Sequence, residues 1–211
     1  MNKGKQNILV AGANGTTGKI IVDLLKHSDK YTPVAMVREQ GQKEQFEKDN
    51  VTVVLADLEQ DLSQAVNNVH KVIFAAGSKG KNVEGIDRDG AKRLTDAAKE
   101  AGATKFVMLS SMGADNPSAN EDLRAYLQAK QAADEHLMAS GMNYSIIRPG
   151  SLSNEKGTGK IELQEKFERQ GDITRADVAQ TLVAVLEDGV QQNQICEILS
   201  GKIPIEVAVR A

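Results

Sequence analysis

The stretch Gly12-Ala13-Asn14-Gly15-Thr16-Thr17-Gly18 constrains this chain more than any other, because it stands between a strand-length apolar run, 7–11, and a periodic apolar run, 19–26. The order reads as strand, tight turn, helix. Each glycine has its own reason to lack a side chain: Gly12 to turn sharply, Gly15 to let backbone approach a pyrophosphate, Gly18 to let the helix pack on the strand. The unpaired N–H groups of the first helical turn, with Asn14, Thr16 and Thr17 around them, then form a cradle for phosphates. A glycine loop alone is an ordinary connection; one placed between strand and helix reads as a nucleotide-binding turn.

The same alternation continues down the chain. Strands are expected at 32–37, 51–55, 72–76, 105–109 and 142–147, with helices at 42–48, 84–101 and 121–140. Strands separated by helices with short loops predict an α/β fold, a doubly wound parallel sheet with helices on both faces and right-handed crossovers. Ligands then gather at the carboxyl ends of the strands. Beyond Pro149-Gly150, which stop the sixth strand, lies a small C-terminal extension on the substrate side. It holds a polar loop at 151–159 and an alternating run at 160–164. Thr174-Arg175-Ala176-Asp177 reads as a capping box for a helix at 176–186, and a last strand follows at 194–199. The chain reads as a single domain, 1–211, in which 150–173 is expected to form a substrate lid.

The strand ends carry the chemistry. Arg38 directly follows the second strand, where an Asp or Glu would bond a ribose 2′-hydroxyl and an Arg accommodates a 2′-phosphate; this favours NADP over NAD, with Glu39 as the alternative ribose partner. Asp57-Leu58 ends the third strand. Asp57 either meets an adenine edge or N-caps a helix starting near Asp61-Leu62. Ala75, Ala76 and Gly77 end the fourth strand with residues small enough for a ribose or nicotinamide to approach the backbone. Ser110-Ser111 end the fifth, and the helix that follows carries Tyr126 and Lys130. Four residues apart, these two share one helical face, so one cleft can receive both. A lysine beside a phenol stabilises the phenolate, which suits Tyr126 to proton transfer at a carbonyl or alcohol, and a serine hydroxyl can hold the same oxygen. The alternative is an exposed amphipathic helix on which Lys130 pairs with a neighbour such as Asp134.

A net charge of −3, with neither half strongly basic, argues against a nucleic-acid or membrane surface and leaves small molecules as the partner class. The single cysteine excludes an internal disulfide, and the three histidines share no metal-ligand spacing. The apolar run after the polar start is too short for a signal peptide, and no stretch approaches membrane-spanning length, so the expected location is cytoplasmic. The helices at 84–101 and 121–140 either cover the sheet or meet another subunit, giving a monomer or small homo-oligomer.

With these pieces in order, the chain resembles the short-chain dehydrogenase/reductase superfamily, in the atypical branch whose glycine turn matches that of the sugar-nucleotide epimerases and dehydratases. The resemblance implies a Rossmann fold and a nicotinamide dinucleotide held by Gly12, Gly15, Gly18, Arg38, Asp57 and Leu58. It further implies a catalytic Ser111, Tyr126 as proton donor, Lys130 as nicotinamide-ribose ligand, and Pro149-Gly150 beside the nicotinamide. One departure is Asp87, where the superfamily usually places an asparagine; an ionised acid cannot donate as an amide does. The other is length, since only about sixty residues follow Gly150, too few for the large nucleotide-sugar domain of the epimerases. The first expectation is therefore an NADPH-dependent reductase of a small carbonyl or flavin-like substrate. The alternatives are an NADP(H)-binding regulatory or sensor protein without turnover and an epimerase/dehydratase-like enzyme.

Overall fold

The computed structural model describes residues 4–78 and 80–211. β1 (Gln6–Ala11) runs into the glycine turn and α1 (Thr16–Lys26) leaves it. Next come β2 (Tyr31–Val37), α2 (Gln40–Lys48), β3 (Thr52–Leu55) and β4 (Lys71–Phe74). A π-helical segment, Val83–Gly90, leads into α3 (Ala91–Glu100), followed by β5 (Lys105–Leu109), α4 (Arg124–Ala139) and β6 (Tyr144–Pro149). The remainder supplies β7 (Ser151–Ser153), β8 (Lys160–Gln164), β9 (Asp172–Thr174), α5 (Arg175–Ala184), β10 (Gln194–Ser200), β11 (Ile203–Pro204) and the short α6 (Ile205–Ala208).

The main sheet has nine strands in the order β3-β2-β1-β4-β5-β6-β10-β8-β11. From β3 to β10 all neighbours are parallel, whereas at the far edge β8 pairs antiparallel with β10 and β11 antiparallel with β8. The order reverses between β1 and β4, which opens a crevice above their carboxyl ends. Both faces are covered, so β1, β4 and β5 are apolar after their opening residues. Ile8 and Val10 of β1 pack with Ile21 and Leu25 of α1 and with Val178 and Leu182 of α5. Leu9 and Ala11, pointing the other way, join Leu94 and Ala98 of α3 and Ala133 and Leu137 of α4. No helix among the described residues is long and apolar enough to cross a membrane.

Two segments differ from the sequence reading, and a third, 150–173, has pairings that the reading did not assign. No helix starts after Asp57: its Oδ1 accepts the Glu59 N–H at 3.0 Å, and the Asp61 carboxylate accepts both the N–H and the hydroxyl of Ser63. Each such bond closes a local turn in place of a helical one. The run expected as one helix at 84–101 is π-helical in its first half, where Asn82 Oδ1 accepts the Gly85 N–H at 3.0 Å. Gly90 lies so close to Leu58 that a Cβ there would come within 2.8 Å of that side chain. Within 150–173, residues Lys160–Gln164 are tied to β10 as a strand of the main sheet, while β7 and β9 pair with each other as a separate two-stranded parallel ladder.

At the amino end of the sheet, two buried lysines collect carbonyls beyond the end of α5. Lys71 Nζ donates to the Leu186 carbonyl and to Asp188, both at 2.7 Å, and Lys105 Nζ donates to the carbonyls of Glu187 at 3.1 Å and Val190 at 2.8 Å. At the other end of α5 the first half of the expected capping box forms, with the Asp177 carboxylate turned to the Thr174 hydroxyl rather than to its backbone N–H. Thr174 Oγ1 accepts the Asp177 N–H at 3.0 Å and donates to the Asp177 carboxylate at 2.9 Å.

Candidate cofactor and catalytic site

The glycine turn sits where β1 meets the crevice. Gly12 has φ +84°, and a Cβ on it would fall 2.6 Å from the backbone of Ala76. The turn is thus pressed against Ala75-Ala76 at the end of β4, which explains the small residues there. A Cβ on Gly18 would lie 2.0 Å from the Gly12 carbonyl oxygen, so the third glycine is required by the turn itself. Gly15 differs: among the described residues its one close neighbour is the same carbonyl at 3.2 Å, and it is exposed. The fold asks less of it, which leaves close approach of a ligand as its reason.

Gly15 caps α1 with no side-chain hydrogen bond, and the first turn of α1 holds no acidic residue. Its N–H groups and the positive end of the helix dipole therefore face outward, suited to a phosphate. Thr16 is exposed and Thr17 buried at this end, and Asn14 Oδ1 is buried without a hydrogen-bond partner among the described residues. A cradle open at Gly15, a helix start free of anions and an unmatched polar amide together fit the pyrophosphate and ribose of a dinucleotide.

Arg38 and Glu39 stand side by side at the end of β2, equally exposed, with Arg38 Nε 3.8 Å from Glu39 Oε1. Asp57 is half-buried next to the buried Leu58 at the end of β3. In the sheet order β2, β1, β4, β5, the Arg38 end lies about 14 Å from the end of β5, three strand spacings away. A ligand touching both must be long and extended.

The end of β5 supplies the other half of the site. Of its two serines, Ser110 is buried and donates to Asp134 Oδ2 at 2.8 Å, whereas Ser111 is half-buried with its hydroxyl toward the Met112 carbonyl at 3.3 Å. Ser111 therefore remains for a ligand. On α4, Tyr126 is half-buried and Lys130 is only 3% exposed. Lys130 Nζ donates to the Leu109 carbonyl at 3.1 Å and lies 5.7 Å from the centre of the Tyr126 ring. Lys130 is thus buried at the strand ends, not spread on an exposed helix.

Its charge partner is also not Asp134. Asp134 accepts from Arg148 Nε at 3.1 Å and Nη2 at 2.9 Å in addition to Ser110, and burial pushes its carboxyl above the usual range although Arg148 opposes this. Lys130 instead faces Asp87, whose Oδ1 lies 3.7 Å from Nζ and which is 1% exposed in the π-helical segment. Asp87 Oδ2 accepts the Ser78 N–H at 3.0 Å, which ties the residues after Gly77 to the same pair. The Ser110–Asp134–Arg148 cluster escaped the sequence reading. Its only signal was that Asp134 follows Lys130 by one turn, on the same face of α4.

Pro149 is buried at the end of β6. Gly150 has a reason within the fold, since a Cβ there would lie 2.3 Å from the Gly171 carbonyl oxygen, where the β7–β9 ladder begins. Gly77 is exposed beside Asp87. Every residue singled out from the sequence thus lies along the carboxyl edge. They form two groups, the glycine turn with the β2 and β3 ends, and the β5 end with α4.

A family model described as NAD(P)H-binding matches residues 12–189. The chain is 37% identical over 211 residues to an uncharacterized sugar epimerase, YhfK, of Bacillus subtilis, covering 96% of this chain and 98% of the relative. Among solved structures, a Bacillus halodurans protein assigned to the NAD-dependent epimerases/dehydratases superimposes with a TM-score of 0.92 at 35% identity, covering 97% of this chain and 98% of that one. The oxidoreductase ylbE from Lactococcus lactis does so with a TM-score of 0.88 at 27% identity, covering 97% and 95%.

Proposed function

Since the chain belongs to the NAD(P)H-binding family, a Rossmann-fold branch of the short-chain dehydrogenases/reductases, we propose that it is an NADP(H)-dependent oxidoreductase acting on a small carbonyl or flavin-like substrate. The observation that carries this reading is Lys130, buried between the Leu109 carbonyl, Asp87 and the Tyr126 ring at the carboxyl edge. A buried ammonium beside a phenol, bonded to the strand end two residues before Ser111, suits proton transfer.

The N–H groups at the start of α1 would hold the pyrophosphate, and Arg38 the 2′-phosphate. When bound, the nicotinamide supplies or accepts hydride. Tyr126 donates its phenolic proton to the substrate oxygen, Ser111 hydrogen-bonds the same oxygen, and the Lys130 charge stabilises the negative charge left on the phenol. Two reductive chemistries separate at Tyr126. A carbonyl needs its proton, whereas a flavin accepts hydride without it. Steady-state oxidation of NADPH with carbonyl and flavin panels, for wild type and Tyr126→Phe, tests this. A carbonyl reductase loses at least about a hundredfold in kcat on removal of its general acid, and a flavin reductase little. Tight NADPH binding with no turnover on either panel would overturn the enzymatic reading.

Asp87 favours one second reading, a protein that binds NADP(H) and signals without turnover, because its carboxylate engages the lysine expected to serve the substrate side. In that case a protein partner's affinity would differ with and without saturating NADPH, and equal affinities would exclude it.

A further inference from the structure

We infer that Asp87 is the buried counter-ion that keeps Lys130 charged and fixed at the site, a positioning residue linking α4 to the backbone after β4. The inference rests on the reading of Lys130 as a site residue. Lys130 is 3% exposed and Asp87 1%, so both have left water, and an ammonium so placed is tolerated only with a compensating charge. The groups facing Lys130 on each side are few. From β5 comes the Leu109 carbonyl at 3.1 Å, and from β4 the Phe74 ring, with its centre 5.9 Å away. Its own helix brings the Tyr126 ring at 5.7 Å and Asp134, whose Oδ2 is spent on Arg148 and Ser110. Asp87 is the carboxylate in ion-pair range of the lysine, at 3.7 Å, while Asp134 attracts it from farther off.

Asp87 also has a second attachment. Its other oxygen accepts the Ser78 N–H at 3.0 Å, one residue past Gly77, where a Cβ would lie 3.3 Å from Oδ1. One carboxylate therefore holds both the ammonium on α4 and the strand-end backbone that lines the crevice. The π-helical segment carries it there, in the kind of irregular turn that recurs at functional sites. An asparagine could keep the Ser78 bond through its amide oxygen but not the charge.

Thermal melts of wild type, Asp87→Asn and the double variant Asp87→Asn/Lys130→Met at pH 7 and at pH 10 test this without any cofactor. In Asp87→Asn the buried lysine loses its counter-ion, so its folded-state proton affinity drops below the unfolded one. The unfolded chain then binds more protons, and stability rises with pH. We expect the melting deficit of Asp87→Asn to shrink by at least about half between the two pH values, and the double variant to recover most of the loss with no such pH dependence. A deficit equal at both pH values, or no recovery in the double variant, would overturn the inference. NADPH titration at pH 8 adds the positioning readout, with a weakening of about tenfold expected in Asp87→Asn. If wild type binds NADPH and Asp87→Asn binds it equally well, the positioning role falls. If wild type itself does not bind, it is the functional reading that fails, and the melts still decide whether Asp87 is the counter-ion.

Discussion

Gly15→Ala should weaken cofactor binding while sparing the fold, and Gly18→Ala should do the reverse in order of damage. The geometry sets the contrast. A Cβ at Gly15 meets only the Gly12 carbonyl oxygen at 3.2 Å, and its φ of −71° suits any residue. Loss of a glycine from this helix cap, plus that mild contact, costs about 1 kcal/mol, or roughly 2–4 °C in Tm for a chain of this size. At Gly18 the same methyl group would lie 2.0 Å from backbone that cannot rotate away, and the cost is on the order of 3 kcal/mol or more. For binding the ranking changes, because a methyl group at Gly15 occupies the face from which a pyrophosphate must approach. NADPH affinity in Gly15→Ala should fall at least about tenfold, ~1.4 kcal/mol. Urea unfolding and fluorescence titration on the same preparations separate the two effects. A Gly15→Ala protein that binds NADPH like wild type would refute the assignment of the phosphates to this turn.

Asp134→Asn should cost about 3 kcal/mol in urea unfolding, because it removes the charge that holds Arg148 Nε and Nη2 in the interior and leaves the guanidinium to Asp115, 4.0 Å from Nη1. Asp134→Leu/Arg148→Met should recover most of that loss, and a single variant within 1 kcal/mol of wild type would show the pair to be unimportant. Thr174→Ala removes the α5 cap and should lose about 1 kcal/mol in the same assay. The pH dependence of stability has opposing parts. Burial and the nearby Lys71 charge lower Lys105 to about 8 from 10.5, so between these values the unfolded chain holds a proton that the folded one has released, and stability rises with pH. Burial chiefly raises Tyr31 from 10.0 to about 12, so above pH 10 the unfolded chain loses a proton that the folded one keeps, and stability falls. Burial likewise raises the Cys196 thiol from 9.0 to about 11, which offsets the Lys105 gain above pH 9, so melts from pH 7 to 11 should rise to about pH 9, level off to about pH 10 and then fall, and Lys105→Met should remove the rising limb.

The parallel sheet and the glycine turn were legible because their signals are local. Apolar runs of strand length alternate with helical periodicity, and the three glycines stand at fixed spacing between β1 and α1. What was not legible depends on residues far apart in the chain. Lys71 and Lys105 stand at the openings of their strands, and nothing near them in the sequence marks the carbonyls at 186–190 that they bind. Lys160–Gln164 has the alternation of a strand, but only its pairing with β10 shows that it extends the main sheet. Asp134 was weighed as a partner for Lys130 on helical spacing alone, and the pairing fails because Arg148 from β6 claims it. Asp87, noticed as a departure from the superfamily, acquires a physical role once the π-helical turn brings it to Lys130.

The central claim is that the glycine turn and Arg38 make a site for NADP(H). Fluorescence titration of wild type and Arg38→Ala with NADPH and NADH, in one buffer at one salt concentration, tests it most directly. NADPH should bind at least about tenfold more tightly than NADH to wild type, and Arg38→Ala should erase that difference while leaving NADH binding unchanged. If neither cofactor binds wild type, the turn serves only the fold and the claim is wrong.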